Sequence, residues 1–402
     1  TVYQLREGVT VRRHARSYRD SAVTENWVSV TNDSSKDITL TRLDSVRLLL
    51  DAGAYHHSYY TSDWGKEFSP VDSALAGTKI LECTKGRSSR QMHPYSLLRD
   101  EAGNVLVLTV AWSGNWIIRY EPRFDGRYVL TAGLSNWKFA RVLRPGESFE
   151  GAHCMLVQAA KAENAWQELA RWGKTYWYPS NALSSSLPVE WNHWWPYDDS
   201  EINETVFRAN VDECHKLGVE VCTLDAGWFG PANDDLSSWY AYRGDWHSVV
   251  AKRFPSGIRS LSDYVHAKGM KFGLWCEIEA CGAKAALNQT HPEFVATRDG
   301  KPLGYVCLGN PQARDWAFSV LEKLIAEYKA DWIKLDFNLD PQSGCNRTDH
   351  GHQSGDGLYA HYHGYYDLLA RVRQRYPEVL LETCASGGLR IDLGIMRQCH
   401  YT

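Results

Sequence analysis

A lysine and an aspartate stand two residues apart in the short apolar stretch 330–338, which reads Ala-Asp-Trp-Ile-Lys-Leu-Asp-Phe-Asn. The run is too brief for a helix and is rich in apolar bulk, so it predicts a buried strand. Because side chains alternate across a strand, Lys334 and Asp336 point to the same face. A buried acid and base must be paired or used. The pattern therefore indicates either a structural ion pair or a reactive carboxylate.

Five predicted strands, the stretch 330–338 included, end in polar side chains. The strands cover residues 189–195, 219–225, 270–277, 330–338 and 379–384. Their ends read Asn192-His-Trp194, Asp225-Ala-Gly-Trp228, Trp275-Cys-Glu-Ile-Glu279, Lys334-Leu-Asp-Phe-Asn338 and Glu382-Thr-Cys-Ala-Ser-Gly-Gly388. Helices alternate with these strands, which predicts a parallel β/α architecture whose strand ends meet at one mouth. The mouth would carry carboxylates, a lysine and indoles, without a P-loop, a dinucleotide fingerprint or a serine-nucleophile elbow.

The two parts of the chain differ in the secondary structure that their apolar spacing predicts. Residues 1–180 hold short alternating runs separated by turn residues and then a helical linker at 159–177, which predicts an antiparallel β-sandwich domain. Residues 181–402 form the β/α domain, where Ser200 is the expected N-cap of a helix that stops at Gly218. A closed barrel of this kind takes eight strands and only five are found. We expect the chain to carry about the first five strands of a (β/α)8 barrel.

Composition excludes several classes of function. The chain has 402 residues and a net charge of −4, so no nucleic-acid or membrane partner is indicated. The 17 Trp and 22 Tyr suit sugar stacking, but a large aromatic core would explain them as well. Ten scattered cysteines without a Cys-x-x-Cys pair predict reduced thiols and a cytoplasmic protein. Four Asn-x-Ser/Thr sequons keep secretion open.

A histidine-rich segment at 345–363 offers a competing site. Its candidate metal ligands are His350, His352, His361, His363, Asp349 and Asp356. The repeated His-x-His pattern suits zinc, but the spacings match no standard structural site. The segment also follows the strand with Asp336. We therefore predict a mobile loop on the substrate side, with no metal and no cofactor.

Taken together, these segments resemble glycoside hydrolase family 36, the α-galactosidases of the melibiase group. The more specific matches are Gly244-Asp-Trp246 with Arg253-Phe-Pro-Ser-Gly257, and Lys334-Leu-Asp-Phe-Asn338. In the first domain, Ser62-Asp-Trp-Gly-Lys-Glu-Phe68 and Lys85-Gly-Arg-Ser-Ser-Arg90 are similar to family segments. The resemblance runs along nearly the whole chain and implies a β-supersandwich followed by a (β/α)8 barrel.

The resemblance also implies roles for the strand-end residues. Asp336 would be the nucleophile of a retaining mechanism and form a covalent glycosyl-enzyme intermediate. Lys334 would contact sugar hydroxyls and help to keep Asp336 ionised, while Glu277 and Glu279 would contact substrate or support Lys334. The other implied substrate-binding residues are Asn192, Trp194, Asp225, Trp228, Trp275, Asn338, Cys384 and Ser386. For each tryptophan, a place in the core remains an equal alternative.

Three departures from the family pattern bear on function. Ala226 replaces a second aspartate that would grip the sugar hydroxyls, so a strict preference for galactose is weakened, although an Asp-Ala-Gly-Trp branch exists within the family. Ser386 stands where the commoner motif has glycine, which alters the room at the 2-position of the sugar site, as an N-acetylgalactosamine-cleaving relative would need. The family's general acid/base lies in a Trp-x-Ser-Asp segment, and we expect that segment after Thr402.

The sequence thus predicts a retaining exo-α-galactosidase that acts on raffinose- or melibiose-type sugars or glycoconjugates. An α-N-acetylgalactosaminidase and a non-catalytic carbohydrate-binding relative are the alternatives. The expected partner is a small oligosaccharide or glycoconjugate, and homo-oligomers are common in the family.

Overall fold

A computed structural model describes residues 1–5, 8–233 and 238–402. Within these ranges, strands dominate up to residue 159, and strands alternate with helices from residue 190 onward. The strands of the first part are β1 Val2–Leu5, β2 Val9–Ser17, β3 Thr24–Asn32, β4 Ile38–Leu40, β5 Asp44–Leu50, β6 Tyr55–Ser62, β7 Ser69–Ala74, β8 Lys79–Glu82, β9 Gln91–Met92, β10 Tyr95–Asp100, β11 Val105–Ala111, β12 Trp116–Pro122, β13 Tyr128–Leu134, β14 Arg141–Leu143, β15 Ser148–Glu150 and β16 His153–Ala159.

The first part is built from antiparallel sheets, as the alternating runs predicted. The larger sheet has the order β1-β2-β3-β16-β11-β10-β6-β7, with β15 beside β3 and β9 beside β6. A second sheet has the order β5-β13-β12-β8, and β4 pairs with β14. In β3, Val28 and Val30 are buried and lie on one face, as the period of two requires.

The second part contains the predicted alternation of parallel strands and helices. Its strands are β17 Glu190–Asn192, β18 Val221–Leu224, β19 Lys271–Cys276, β20 Val295–Arg298, β21 Lys301–Val306, β22 Trp332–Leu335 and β23 Leu380–Thr383. The parallel sheet has the order β17-β18-β19-β22-β23, and β20 and β21 form a separate antiparallel hairpin. Closure into an eight-stranded barrel stays a prediction.

Helices lie between these strands and before them. Their bounds are α1 Ala162–Trp172, α2 Ala182–Ser186, α3 Trp194–Glu201, α4 Glu204–Leu217, α5 Gly257–Ala267, α6 Leu287–Thr290, α7 Pro311–Ala326, α8 Gly357–Arg375 and α9 Leu393–Met396. The predicted N-cap of α4 was wrong. Asn203 caps it by accepting a hydrogen bond from the Val206 N–H, and Ser200 lies inside α3. Gly218 does end α4, with φ of 76°.

The first part packs directly against the β/α part. Trp112, which follows β11, stacks on Tyr359 of α8 with ring centroids 5.2 Å apart and meets Tyr362 edge-on. These aromatic contacts hold loops of the first part beside the carboxyl ends of the parallel strands. None of the helices in the described ranges is both long enough and apolar enough to cross a bilayer.

Candidate active site

A cleft of about 940 Å³ opens where the parallel strands end. This volume suits a sugar-sized ligand. The β/α part contributes Trp194, Trp195, Asp225, Ala226, Trp239, Tyr240, Arg243, Trp275, Lys334, Asp336, Asn338, Cys384, Ser386, Gly387 and Leu389 to its walls. The first part contributes Trp64, Gly65, Glu67, Arg87 and Arg90. The walls therefore combine charged groups with aromatic faces.

Asp336 lies in the wall of this cleft, immediately after β22. Its Oδ1 accepts hydrogen bonds from the backbone N–H groups of Phe337 (2.8 Å) and Ser386 (3.0 Å). Its Oδ2 accepts from Asn338 Nδ2 (2.8 Å) and from Trp275 Nε1 (3.3 Å). The side chain is 8% exposed, so it borders the cleft rather than the bulk solvent. Four donors thus fix the orientation of the carboxylate.

The surroundings of Asp336 favour its charged form. Burial raises the pKa of this carboxyl, but the Asn338 amide, the Lys334 charge and backbone N–H groups outweigh it. The pKa of Asp336 is consequently below its ordinary value. An ionised carboxylate beside a sugar-sized cleft is suited to attack an electrophilic carbon.

Lys334 forms its ion pair with Asp225 rather than with Asp336. Its Nζ lies 2.9 Å from Asp225 Oδ2, which also accepts a hydrogen bond from Asn192 Nδ2 at 2.7 Å. Burial lowers the pKa of Lys334, but the charge of Asp225 exceeds that effect and raises it above the ordinary value. Asp225 and Lys334 both line the cleft, whereas Asn192 reaches it only through Asp225.

His193 sets the backbone position of Asp225. Its Nδ1 accepts a hydrogen bond from the Asp225 N–H at 2.8 Å, and burial lowers the pKa of His193 to about 4. The imidazole is therefore neutral at physiological pH and can accept this bond. This contact fixes the end of β18 without adding charge to the cleft.

Glu277 supports Asn338 instead of Lys334, contrary to prediction. Its Oε1 accepts from Arg243 Nη1 (2.8 Å) and from the Asn338 N–H (2.6 Å), and its Oε2 accepts from Asn338 Nδ2 (3.1 Å). Burial, which exceeds the effect of Arg243, raises the pKa of Glu277 to about 7. The chain of contacts from Arg243 through Glu277 to Asn338 ends on Asp336.

Glu279 is closed off from the cleft, so its predicted roles as a substrate contact and as a partner of Lys334 were wrong. Both of its oxygens accept from Arg390 Nη1, at 2.9 and 2.6 Å, and His361 Nε2 lies 2.9 Å from Oε1. All three side chains are fully buried or nearly so. This cluster joins the end of β19 to α8 and to the segment after β23.

The predicted tryptophans divide between cleft and core. Trp194 and Trp275 line the cleft, and exposed Trp195 and Trp64 extend its aromatic surface. Trp228 takes the alternative place in the core. It is fully buried, and its Nε1 donates to the carbonyl of Trp275 at 3.0 Å.

Ser386 adopts a backbone conformation that favours glycine. Its φ is 49°, in the left-handed region, which is a physical reason for glycine in the commoner motif. The hydroxyl donates to Asn338 Oδ1 at 2.7 Å and accepts from Arg87 Nη1 at 3.0 Å. Cys384 also lines the cleft, and burial raises the pKa of its thiol well above the ordinary value. A neutral thiol and a held hydroxyl thus border Asp336.

Sequence reasoning missed the contribution of the first part of the chain. Arg87 contacts Ser386 and the Phe337 carbonyl (2.9 Å), and its Nη2 pairs with Asp340 at 2.5 Å. Trp64, Glu67 and Arg90 also line the cleft. The segments 62–68 and 85–90 had carried the family resemblance, but loops of a β domain reach the mouth only through tertiary packing.

The segment at 345–363, predicted as a mobile loop on the substrate side, is instead held against the first part, together with the residues that precede it. Asn115 Nδ2 donates to the Gln342 carbonyl at 2.8 Å, and Arg141 pairs with Asp356 at 2.6 Å. Val142 and Gln353 exchange two hydrogen bonds of 2.7 Å. Residues 339–356 do not line the cleft.

A parallel β/α sheet whose strand ends hold an ionised aspartate in an aromatic, polar cleft is typical of carbohydrate-processing enzymes. Comparison with known families agrees. The melibiase family model matches residues 163–402, and the model for the glycosyl hydrolase family 36 N-terminal domain matches residues 2–144. The chain belongs to glycoside hydrolase family 36, within its melibiase group.

Individual relatives agree with this family. The α-galactosidase Mel36A of Lactobacillus acidophilus is 33% identical over 96% of this chain and 53% of its own length. The crystal structure of an α-galactosidase from Lactobacillus brevis is 27% identical, with a TM-score of 0.88 over 98% of this chain and 54% of its own. An α-galactosidase AgaA variant from Geobacillus stearothermophilus, solved with stachyose, shares the fold at 23% identity, with a TM-score of 0.90 over 98% of this chain and 56% of its own. The chain spans about half the length of these relatives.

Proposed function

We propose that the protein containing this chain is a retaining exo-α-galactosidase that releases terminal α-linked galactose from small oligosaccharides or glycoconjugates. The observation that carries the proposal is the Asp336 carboxylate, which is held by four donors at the wall of a sugar-sized cleft. The names of its relatives support the same activity, since they are α-galactosidases.

In the proposed first step, an Asp336 oxygen bonds to the anomeric carbon and the glycosidic C–O bond breaks. The departing oxygen takes a proton from a general acid, and a β-linked galactosyl-enzyme remains. Water then attacks the same carbon from the opposite face, gives up a proton to the conjugate base, and restores Asp336. Two inversions give overall retention of the α configuration.

We assign the nucleophilic role to Asp336 and leave the proton-transfer role to another carboxyl. A retaining pair needs a second carboxyl roughly 5–5.5 Å from the first. Asp225 is held in its ion pair with Lys334, and Glu67 accepts a hydrogen bond from the Gly388 N–H at 3.4 Å. We assign the acid/base role to neither of these two cleft carboxylates.

We infer that the cleft takes galactose rather than its N-acetylated counterpart. We infer that the Asp225–Lys334 pair binds hydroxyls at the far side of the ring, while Cys384 and Ser386 border the 2-position. The Ser386 hydroxyl is held between Arg87 and Asn338, so it adds a polar group where an acetamide would need room. Relatives crystallised with stachyose and raffinose make α-galactosides of this size suitable first substrates.

Proton NMR of the first product tests the proposal directly. The protein at its natural length would be incubated with nitrophenyl α-galactoside, and the anomeric proton of the released sugar recorded before mutarotation. We expect α-galactose to appear first and β-galactose later. If β-galactose appears first, the mechanism is inverting and not retaining. If nitrophenol is released faster from nitrophenyl α-N-acetylgalactosaminide, the preferred sugar is N-acetylgalactosamine and not galactose. If neither compound is hydrolysed, the protein is the non-catalytic carbohydrate-binding relative.

A further inference from the structure

Four metal-ligating side chains meet in the interior, away from the cleft. They are Cys307, Cys345, His350 and His352, and one ligand atom from each lies within 4.8 Å of all the others. The relative exposure of each is 5% or less. Cys307 follows strand β21, whereas the other three belong to the loop after the strand that carries Asp336. Segments distant in sequence thus supply a two-cysteine, two-histidine set.

The spacing of the ligand atoms suits one tetrahedral metal ion. His352 Nε2 lies 3.3 Å from Cys307 Sγ, and His350 Nδ1 lies 3.7 Å from Cys345 Sγ. Zinc bonds of 2.3 Å to sulfur and 2.0–2.1 Å to nitrogen place ligands at tetrahedral corners about 3.3 to 3.8 Å apart. Both of these distances fall in that range.

His352 has the hydrogen-bond partner that a metal-bound imidazole requires. His352 Nδ1 lies 2.8 Å from the Gln353 carbonyl, so it donates there and leaves the Nε2 lone pair free for a metal. His350 Nε2 lies 4.0 Å from Asp349 Oδ1, on the side away from Cys345. The Arg347 N–H donates to Cys345 Sγ at 3.5 Å, which stabilises charge on that sulfur.

The backbone also makes room for the His352 ring. A Cβ at Gly309 would lie 2.7 Å from one ring carbon, and a Cβ at Gly357 would lie 2.8 Å from another. Any other residue at either position would displace the imidazole. Two glycines from different segments thus accommodate the ring in its present position.

Charge balance favours zinc at this buried location. Two thiols that lose their protons to solvent carry two negative charges, which a divalent cation neutralises, while both imidazoles stay neutral. The sum is zero, so the occupied site avoids the cost of an unpaired buried charge. Tyr305, Phe337, Ala385 and Leu389 surround the two cysteines with apolar contacts and exclude water. Four protein ligands and no open position are typical of a structural zinc site.

We propose that Cys307, Cys345, His350 and His352 bind one structural zinc ion. The ion would join the end of β21 to the loop after β22 and, through Gln353, to Val142 of the first part. Phe337, which follows Asp336, packs in the same apolar cluster as both cysteines. The zinc would therefore stabilise the apolar cluster beneath the cleft and would take no part in the chemistry.

The sequence singled out this segment but predicted no metal there, and it did not indicate this ligand set. His361 pairs with Glu279, and His363 stacks on Tyr359 with ring centroids 4.2 Å apart. Only one His-x-His pair therefore faces the cysteines. The spacing of ligands along the chain fits no standard motif because the fourth ligand, Cys307, comes from another strand.

The test begins with the metal content of the purified protein, measured by plasma mass spectrometry after gel filtration. We expect about one zinc ion per chain. Replacing zinc with Co²⁺ should give the intense visible d–d bands and the thiolate-to-cobalt charge transfer of a tetrahedral site. Protein that holds iron or copper in place of zinc would overturn the assignment. So would protein that takes up no metal when zinc is supplied with both thiols reduced, or that carries a Cys307–Cys345 disulfide by peptide mass.

Paired variants then locate the site. Cys345→Ser and His350→Ala should lower zinc content to below about 0.2 per chain. The matched controls are Cys281→Ser, whose hydroxyl can keep the bond to Asn288, and His363→Ala, from the neighbouring helix. Both controls should keep the full zinc content. If a ligand variant fails to fold, the cobalt spectrum of the unaltered protein still decides. Equal zinc in ligand and control variants would overturn the proposal.

Discussion

Asp336 and Glu279 are two buried carboxylates that follow parallel strands, but they occupy different surroundings. Asp336 follows β22 and borders the cleft, and neutral amide, indole and backbone donors hold it. Glu279 lies three residues after β19 and has no exposed surface, and Arg390 and His361 hold it. Both carboxyls have a pKa below the ordinary value, although burial opposes this for each.

The difference lies in the partners and in access. A carboxylate whose oxygens are neutralised by a guanidinium is a weak nucleophile and a strong structural tie. Neutral donors orient the charge of Asp336 without cancelling it, and the cleft gives a sugar access to it. A lowered pKa alone therefore does not identify a reactive carboxylate, whereas its access and the charge of its partners do.

The largest expected effect comes from Asp336→Asn. The amide keeps the shape of the side chain but cannot form the glycosyl-enzyme, so kcat/KM on nitrophenyl α-galactoside should fall by roughly 10⁴-fold or more. Thermal unfolding should change little. Azide added to Asp336→Ala should yield β-galactosyl azide, because a small anion can occupy the vacated position. Activity retained by the amide variant would remove Asp336 from the reaction.

Glu279→Gln should affect stability rather than chemistry. The change leaves the Arg390 guanidinium buried without its counter-charge, which typically costs about 3 to 5 kcal/mol of unfolding free energy. Urea denaturation measures this cost. The double variant Glu279→Gln, Arg390→Met should recover part of it because both charges are then removed. A variant of normal stability that has lost activity would place Glu279 in the reaction instead.

The same comparison shows what could be predicted from sequence. Periodicity found the parallel strands, and the two-residue spacing placed Lys334 and Asp336 on one face. It could not show that Lys334 pairs with Asp225, or that Glu279 faces Arg390, because those partners come from other strands and loops. Arg87 was missed for the same reason. The choice between cleft and core stayed open for Trp228 because its position after β18 does not tell which way a turn directs the ring.

A pH-rate profile tests how Asn338 supports the cleft carboxylate. Asn338→Ala removes a donor to Asp336 Oδ2, so the charged form loses stabilisation and its pKa rises. A hydrogen bond to a charged group corresponds to about one pH unit. The acid limb of kcat/KM should move upward by that amount. The effect on stability has the same direction. Asp336 stabilises the folded state above the ordinary carboxyl pKa, and this contribution is lost as pH falls through the lowered pKa. In Asn338→Ala the loss should occur at a higher pH.

Asn192→Ala is the matched control for this shift. Asn192 also donates to a cleft carboxylate, but its partner is Asp225 Oδ2. Its loss should weaken substrate binding and leave the acid limb in place. If both variants shift the acid limb of kcat/KM equally, the limb reflects all the charged groups of the cleft together and not the ionisation of Asp336 alone.

The smallest expected effect concerns the backbone that supports Asp336. Ser386 has φ of 49° and donates its N–H to Asp336 Oδ1, so a strained residue holds the cleft carboxylate. Alanine keeps this strain and glycine relieves it, while both lose the hydroxyl bonds to Asn338 and Arg87. Ser386→Gly should therefore be more stable than Ser386→Ala by about 1 kcal/mol. In helix α5 the order should reverse at buried Ser262, where alanine should exceed glycine by about the same amount. If alanine is the more stable replacement at both positions, Ser386 carries no strain, and the glycine of the commoner motif must be explained by space for the sugar.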